Sequence, residues 1–316
     1  MKRFFALILA AICIFSISCR RDEQAVDNSP KAVYTYLVAG LDNAADNTDV
    51  LFLISCDLDE NRATVIQIPR DTFCKYNGTE GKINRIFPSL IAEGKSKKEA
   101  MSHLNSYIES NFGIDIDGYV CFDTETFRKV VDLIGGIDIS LDKALTIYDE
   151  HGKECFVLNE GVTHLNGEMA EEFVRYRKGY ATGDLGRIDA QKLFIDAFVR
   201  SAKNNVGIDE MIRLAFTLAT EMTTDIGTKD MFDILTRNRD KIDDTVFRYV
   251  TMPGEATMYN GVSFYVLNRK NAAEILSKTF RSNVQTFDKG KSFTSDGVSQ
   301  FDNIYYDDNS SYKIYG

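Results

Sequence analysis

The hydrophobic positions of this chain change period several times, and each change predicts an element. Residues 4–17 are apolar but for Ser16 and follow Lys2 and Arg3. At that length they fall short of the ~20 residues that span a bilayer, and they read as an export signal. After a polar stretch, residues 33–40 form a run of β-formers closed by Gly40, and residues 50–56 and 64–68 repeat the pattern, so three strands are predicted. The connection Asp57-Leu58-Asp59-Glu60-Asn61 is short and turn-forming, which makes the second and third strands an antiparallel hairpin. Helical spacing then governs residues 98–112 and 124–134, with a strand at 119–122 between them and another running through Ser140 after Gly135-Gly136.

Asn166 caps a predicted helix that runs to about Lys178 and stacks Leu165, Met169 and Phe173 on one face, which Arg177 continues past its end. Gly183-Asp184 opens the next helix, whose core stripe is Ile188, Ile195, Phe198, Val199 and Ala202. Strands that alternate with helices define the class as mixed α/β, with a central mostly antiparallel or mixed sheet flanked by helices.

If the first strand also runs antiparallel to the second, the three make a meander, and one edge of it collects charge. Asp42 follows the first strand, Asp49 precedes the second, and Arg70 with Asp71 follows the third. Two carboxylates on adjacent loops suit a hard divalent cation that takes phosphate oxygens for the rest of its shell, although Asp in such loops also serves plain turn chemistry. Asp57 and Asp59 fall at the opposite edge and are assigned only the turn. Arg175 lies near a helix's carboxyl end, where a cation complements the dipole. Arg187 lies in the first turn of the next helix, where free N–H groups favour an anion, and Gln191 shares its face at i+4. Arg175, Arg177 and Arg187 together supply guanidinium groups that fork onto phosphate oxygens.

The 316 residues carry a formal charge of −10 with 44% hydrophobic residues. That suffices for a core and lacks the basic excess that tracks a nucleic-acid backbone, so no nucleic-acid partner is expected. Any phosphate must meet a local cluster. The six cysteines include no Cys-x-x-Cys spacing, and Cys56 and Cys121 sit in apolar strand runs where buried free thiols are common. His103, His151 and His164 are scattered without metal-like spacing. Ser18 before Cys19 resembles the cleavage and lipidation site of bacterial lipoproteins, with Ser16 where Leu or Val is usual; an uncleaved signal anchor is the alternative. Either way the chain is expected outside the cytoplasm, attached to the membrane by its amino end.

Gly40-Leu41-Asp42, Thr48-Asp49, Ile68-Pro69-Arg70-Asp71-Thr72, Lys82-Ile83-Asn84 and Val131-Asp132-Leu133-Ile134-Gly135-Gly136 resemble, in order and spacing, motifs of the LytR-CpsA-Psr family. So do Leu165-Asn166-Gly167-Glu168 and the stretch from Arg175-Tyr176-Arg177 through Gly183-Asp184-Leu185-Gly186-Arg187 to Gln191. With the export signal over residues 1–18 and a polar tether over 19–32, the resemblance implies one catalytic domain over 33–280; the tail over 281–316 is polar, shows no amphipathic period and is expected to be loosely ordered. Members are membrane-attached enzymes that move a glycopolymer, such as wall teichoic acid or capsule, from an undecaprenyl-pyrophosphate carrier onto peptidoglycan through a phosphodiester.

Carried over by position, the resemblance implies that Asp42 and Asp49 coordinate Mg²⁺. Arg70, Arg175, Arg177, Arg187 and Gln191 would hold the pyrophosphate, with Lys82 as a further cation, and Asp71 belongs to the same site. Asp42, Asp49 and Asp71 are each a candidate base for the acceptor hydroxyl. The polyprenyl tail requires an apolar cavity between sheet and helices, for which Phe127, Val131, Phe194 and Phe198 are candidates against the alternative of plain core. Two positions depart from the family pattern, Asn47 and Ala190 standing where Arg is usual. Two other activities would use the same residues: a lipid-pyrophosphate-binding lipoprotein without catalysis, and a pyrophosphate hydrolase with water as acceptor.

Overall fold

The computed structural model describes residues 33–42, 47–149, 151–176, 184–205, 220–227, 245–281, 299–305 and 314–315, with only the backbone of 184–189, 199, 202–205, 302, 305 and 315. In chain order the strands and helices are β1 (Val33–Leu41), β2 (Thr48–Asp57), β3 (Arg62–Gln67), β4 (Phe73–Tyr76), β5 (Thr79–Lys82), α1 (Ile86–Ala92), α2 (Lys97–Phe112), β6 (Gly118–Phe122) and α3 (Thr124–Leu133). There follow β7 (Ile137–Leu141), β8 (Leu145–Tyr148), β9 (Glu154–Leu158), β10 (Gly161–Leu165), α4 (Gly167–Arg175), α5 (Asp184–Asn205), β11 (Thr223–Thr224) and β12 (Val246–Thr251). β13 (Gly254–Tyr259), β14 (Val262–Leu267), α6 (Arg269–Phe280) and β15 (Ile314–Tyr315) complete the series.

β1 is buried along its whole length because it lies inside a seven-stranded sheet of order β11-β6-β1-β2-β3-β12-β15. β1 pairs antiparallel with β2 and β2 with β3, which is the expected meander, while β6 runs parallel to β1 and β12 parallel to β3. The sheet is therefore mixed, and β1, β3, β6 and β12 all end at one edge. Side chains alternate across it: Tyr36, Val38, Phe52 and Ile54 pack with the buried faces of α3, α4 and α5, and Leu37, Leu53 and Ile66 with those of α1, α2 and α6. Both faces are covered by helices, which is why β1 and β2 read as continuous apolar runs.

Local chemistry sets the helix ends. Ser96 accepts from the Glu99 N–H while the Glu99 carboxylate accepts from the Ser96 N–H, a capping box that starts α2, and Gly113 ends it with left-handed backbone. Asn166 caps α4 through Met169 N–H as expected, but the helix stops at Arg175, short of Lys178. Tyr176 turns to extended backbone and buries its ring, ending the helix by tertiary packing. At the other end of α4, Gly167 lies so close to the Arg128 backbone that a Cβ would overlap the carbonyl. Gly167→Ala is expected to cost about 1–3 kcal/mol of stability by overpacking, read as a lowered Tm. An unchanged melting curve would show that α3 and α4 part freely.

Three expectations are corrected away from the site. Asp57 does more than turn: it is buried and ion-paired with Arg62 and Arg281. Cys56 is disulfide-bonded, not a free thiol, whereas Cys121 is free and buried. Part of the stretch after residue 281 is docked, because Phe301 is 1% exposed and packs its ring 5.1 Å from that of Phe73, and β15 pairs with β12. Aromatic burial there outweighs the polar composition around it.

Candidate active site

The edge where β1, β3, β6 and β12 end carries the charged positions, as expected for a ligand crevice outside strand carboxyl ends. One irregularity aims them. Gly40 faces Val50 and Leu41 faces Thr48, so Asp49 is the extra residue of a β-bulge. A regular pleat sends neighbours to opposite faces, yet Asp49 and Val50 both line the same cavity. Across the strand end, Asp42 accepts from the Asn47 N–H at 3.1 Å and from its side-chain amide at 3.0 Å, and donates its own N–H to the Asn47 carbonyl at 3.0 Å. Asn47 therefore closes the loop that brings Asp42 beside β2. Arg85 donates to the Asn47 side-chain oxygen at 3.0 Å, so a guanidinium reaches the position where the family usually carries one. Sequence reading had passed over Arg85, although it directly follows Lys82-Ile83-Asn84.

Arg70 follows β3 in a turn held by the Thr72 N–H and hydroxyl donating to the Pro69 carbonyl at 2.9 and 2.6 Å. It pairs with Asp49, and its Nε is buried without a hydrogen-bond partner among the described residues. Asp71 pairs with Lys82 at 2.9 Å, and Lys82 lies 5.8 Å above the Phe264 ring. That pair stays outside the cavity lining.

The cavity holds about 990 Å³ of empty space counted to its open mouth. Its walls are Val38, Phe52 and Ile54 of the sheet, Phe122 of β6, Phe127 and Val130 of α3, and Phe194, Ile195 and Phe198 of α5. Phe127, Phe194 and Phe198 form a ladder of rings at 5.1 and 5.5 Å. Gly40 leaves room at the mouth, since a Cβ there would stand 3.3 Å from both the Phe122 ring and Val50. Val131 does not line the cavity and lies wholly in the core; the lining face of α3 runs through Phe127 and Val130, and Val131 is turned about 100° from Val130.

Asp49, Arg175 and Gln191 form the polar part of the lining, with Glu171, Asp123 and Thr124. Gln191 is buried; it accepts from the Gln67 amide at 2.6 Å and donates to the Val174 carbonyl at 3.3 Å, and Tyr249 donates to Gln67 from behind. Burial works against the Arg175 charge, but the Glu171 hydrogen bond and the fields of Glu171, Glu172 and Asp49 raise its pKa above the usual arginine value. Asp49, Arg175 and Gln191 thus line one mouth, and Arg70 is joined to it through Asp49; Asp42, held by Asn47, is not among the lining residues. The Arg187 backbone is in the first turn of α5, its side chain outside the description; Arg177 and Cys19 lie outside the described residues. Glu171, Gln67 and Tyr249 escaped the sequence reading, and only Glu171 left a signal, its i, i+4 spacing to Arg175.

As a donor set, two carboxylates on adjoining strand ends suit Mg²⁺, which takes one or two carboxylates and fills its shell with phosphate oxygens and water. Among the described residues no group of three or more His, Cys, Asp or Glu is placed to hold a metal ion by itself. No helix of the described residues is long and apolar enough to cross a membrane.

Comparison with known proteins places this geometry among relatives. The LytR_cpsA_psr family model matches residues 16–281. The polyisoprenyl-teichoic acid–peptidoglycan teichoic acid transferase TagU of Bacillus subtilis is 26% identical over 263 residues, 82% of this chain and 80% of that one. The fold is similar to the crystal structure of B. subtilis TagV, with a TM-score of 0.63 at 21% identity over 81% of this chain and 98% of that chain. It is also similar to TagT bound to LIIa-WTA, with a TM-score of 0.64 at 22% identity over 84% and 100%.

Proposed function

Because the chain belongs to the LytR-CpsA-Psr family, we propose that it moves a glycopolymer from a polyprenyl-pyrophosphate carrier onto peptidoglycan through a phosphodiester, outside the cytoplasm and attached to the membrane. The observation that carries this reading is a cavity of two chemistries. Its walls are apolar and aromatic, and its mouth holds Asp49, Arg175 and Gln191, with Arg70 against Asp49. A ligand with a long apolar tail and an anionic head satisfies both parts, whereas a soluble sugar phosphate would leave the walls without a partner.

Arg70 and Arg175 would neutralise the two phosphates and so ease attack of an acceptor hydroxyl on the glycan-bearing phosphorus. The new P–O bond forms to the acceptor as the bond to the lipid phosphate breaks; the hydroxyl proton passes to a carboxylate of the site, Asp42, Asp49 and Asp71 being the candidates, and the lipid phosphate leaves with its charge met by guanidinium groups. Gln191, held by Gln67 and Val174, orients its amide at the mouth. Asp42 and Asp49 are the residues that would hold Mg²⁺, which supplies further charge neutralisation at the phosphates when bound.

The test is product analysis. The protein is incubated with Mg²⁺, a lipid-pyrophosphate-linked glycan and peptidoglycan oligomers, with a chelator control. Glycan joined to the acceptor through one phosphate, lost with chelator and restored by Mg²⁺, is the expected result. Free glycan phosphate would make the protein a hydrolase, and intact bound carrier would make it a carrier-binding protein.

A further inference from the structure

Glu171 is a deeply buried charge in the cavity wall, with 1% of its side chain exposed. Its two oxygens are divided between two helices: Oε1 accepts from Arg175 Nη1 at 2.5 Å, and Oε2 accepts from Arg128 Nε. Arg128 stands there because α3 and α4 touch at Gly167, one turn before Glu171. Stability does not account for the carboxylate. Burying an ion costs several kcal/mol, and an apolar residue of like volume is often neutral or better in its place. Arg175, in contrast, is 45% exposed, ends its helix at the mouth, and has Glu171 as its hydrogen-bond partner among the described residues.

We propose that Glu171 is an internal counter-ion that occupies the Arg175 guanidinium while the cavity is empty and competes with an anionic headgroup for it. The grip on a diphosphate is then looser, and its release easier, than the arginine alone would set. Arg128 keeps the buried carboxylate partnered when Arg175 turns to the ligand. This inference rests on the mouth being a diphosphate site. It differs in sign from a folding role: loss of a merely structural residue weakens binding, whereas loss of a competitor strengthens it.

The experiment titrates farnesyl diphosphate by calorimetry into the full chain in detergent, wild type against Glu171→Gln, with Glu171→Met as the variant to use if the first does not fold. Affinity is expected to rise about tenfold, the scale of removing one charge near an anion in a partly wet site. The gain should vanish in the Glu171→Gln, Arg175→Ala double variant. Arg175 should also react several-fold faster with phenylglyoxal once Glu171 is gone. Where the wild type binds, unchanged or weaker affinity in the variants overturns the competition and leaves the diphosphate site standing. If neither protein binds, the diphosphate reading itself falls, and unchanged labelling of Arg175 overturns the hold of Glu171 while faster labelling supports it.

Discussion

Arg70→Ala is expected to lower glycopolymer transfer by roughly 10²–10³-fold, the range seen when one preorganised donor to a developing charge is removed. The residue stands on a short turn after β3 whose geometry is fixed by Thr72 bonding to Pro69, so its guanidinium is delivered by the backbone and not by a floppy loop. It is 15% exposed, touches Asp49, and keeps a buried Nε without a partner among the described residues. An unmet buried donor beside the proposed diphosphate site is what a phosphate oxygen, or the water that stands in for it, would satisfy. Asp49 loses its partner in the variant but is itself partly open to water, so the effect on Tm should stay small. Arg70→Lys should restore only part of the rate, because an ammonium keeps the charge and loses the fork. Turnover within a fewfold of wild type in Arg70→Ala would remove this residue from the chemistry.

The second large effect concerns the tail. Val38→Trp places an indole on the cavity face of β1, opposite Phe52, where the wall is open. Binding of farnesyl diphosphate should fall at least tenfold, since each buried CH₂ of the tail is worth about 0.8 kcal/mol and the ring takes its place. Inorganic pyrophosphate, which has no tail, should bind within twofold of wild type. The comparison separates the two chemistries of the cavity in one variant. Equal loss for both ligands would point to a distorted mouth, and equal retention would put the tail elsewhere.

Much of the frame was legible in the order of residues. The hairpin of β2 and β3 followed from β-forming runs and one short turn, and with β1 taken as antiparallel to β2 the same pattern puts Asp42, Asp49 and Arg70 at one edge of the sheet. Asn166 as a helix cap and a helix opening at Asp184 were readable for the same reason: caps, turns and side-chain period depend on neighbours a few residues away. The family motifs named Asp49, Arg175 and Gln191 of the polar lining and left Glu171, Asp123 and Thr124 unnamed.

Tertiary packing decided the rest. The parallel docking of β6 against β1 and β12 against β3 joins segments far apart in sequence, and no local rule selects those partners. The bulge at Asp49 is a mismatch between two strands, invisible in either alone. The cavity took Val130 and left Val131 in the core because the neighbouring helices fix the rotation of α3, and an apolar pair one residue apart reads alike in sequence. Tyr176 ended α4 early by burying its ring. Glu171 is the clearest case: its i, i+4 spacing to Arg175 describes an ordinary surface pair. Only the contact of α3 with α4 at Gly167, which brings in Arg128 and shuts out water, makes it a buried charge at the cavity wall. Local hydrogen bonding and hydrophobic period are carried by adjacent residues, whereas burial is a property of the whole packed chain.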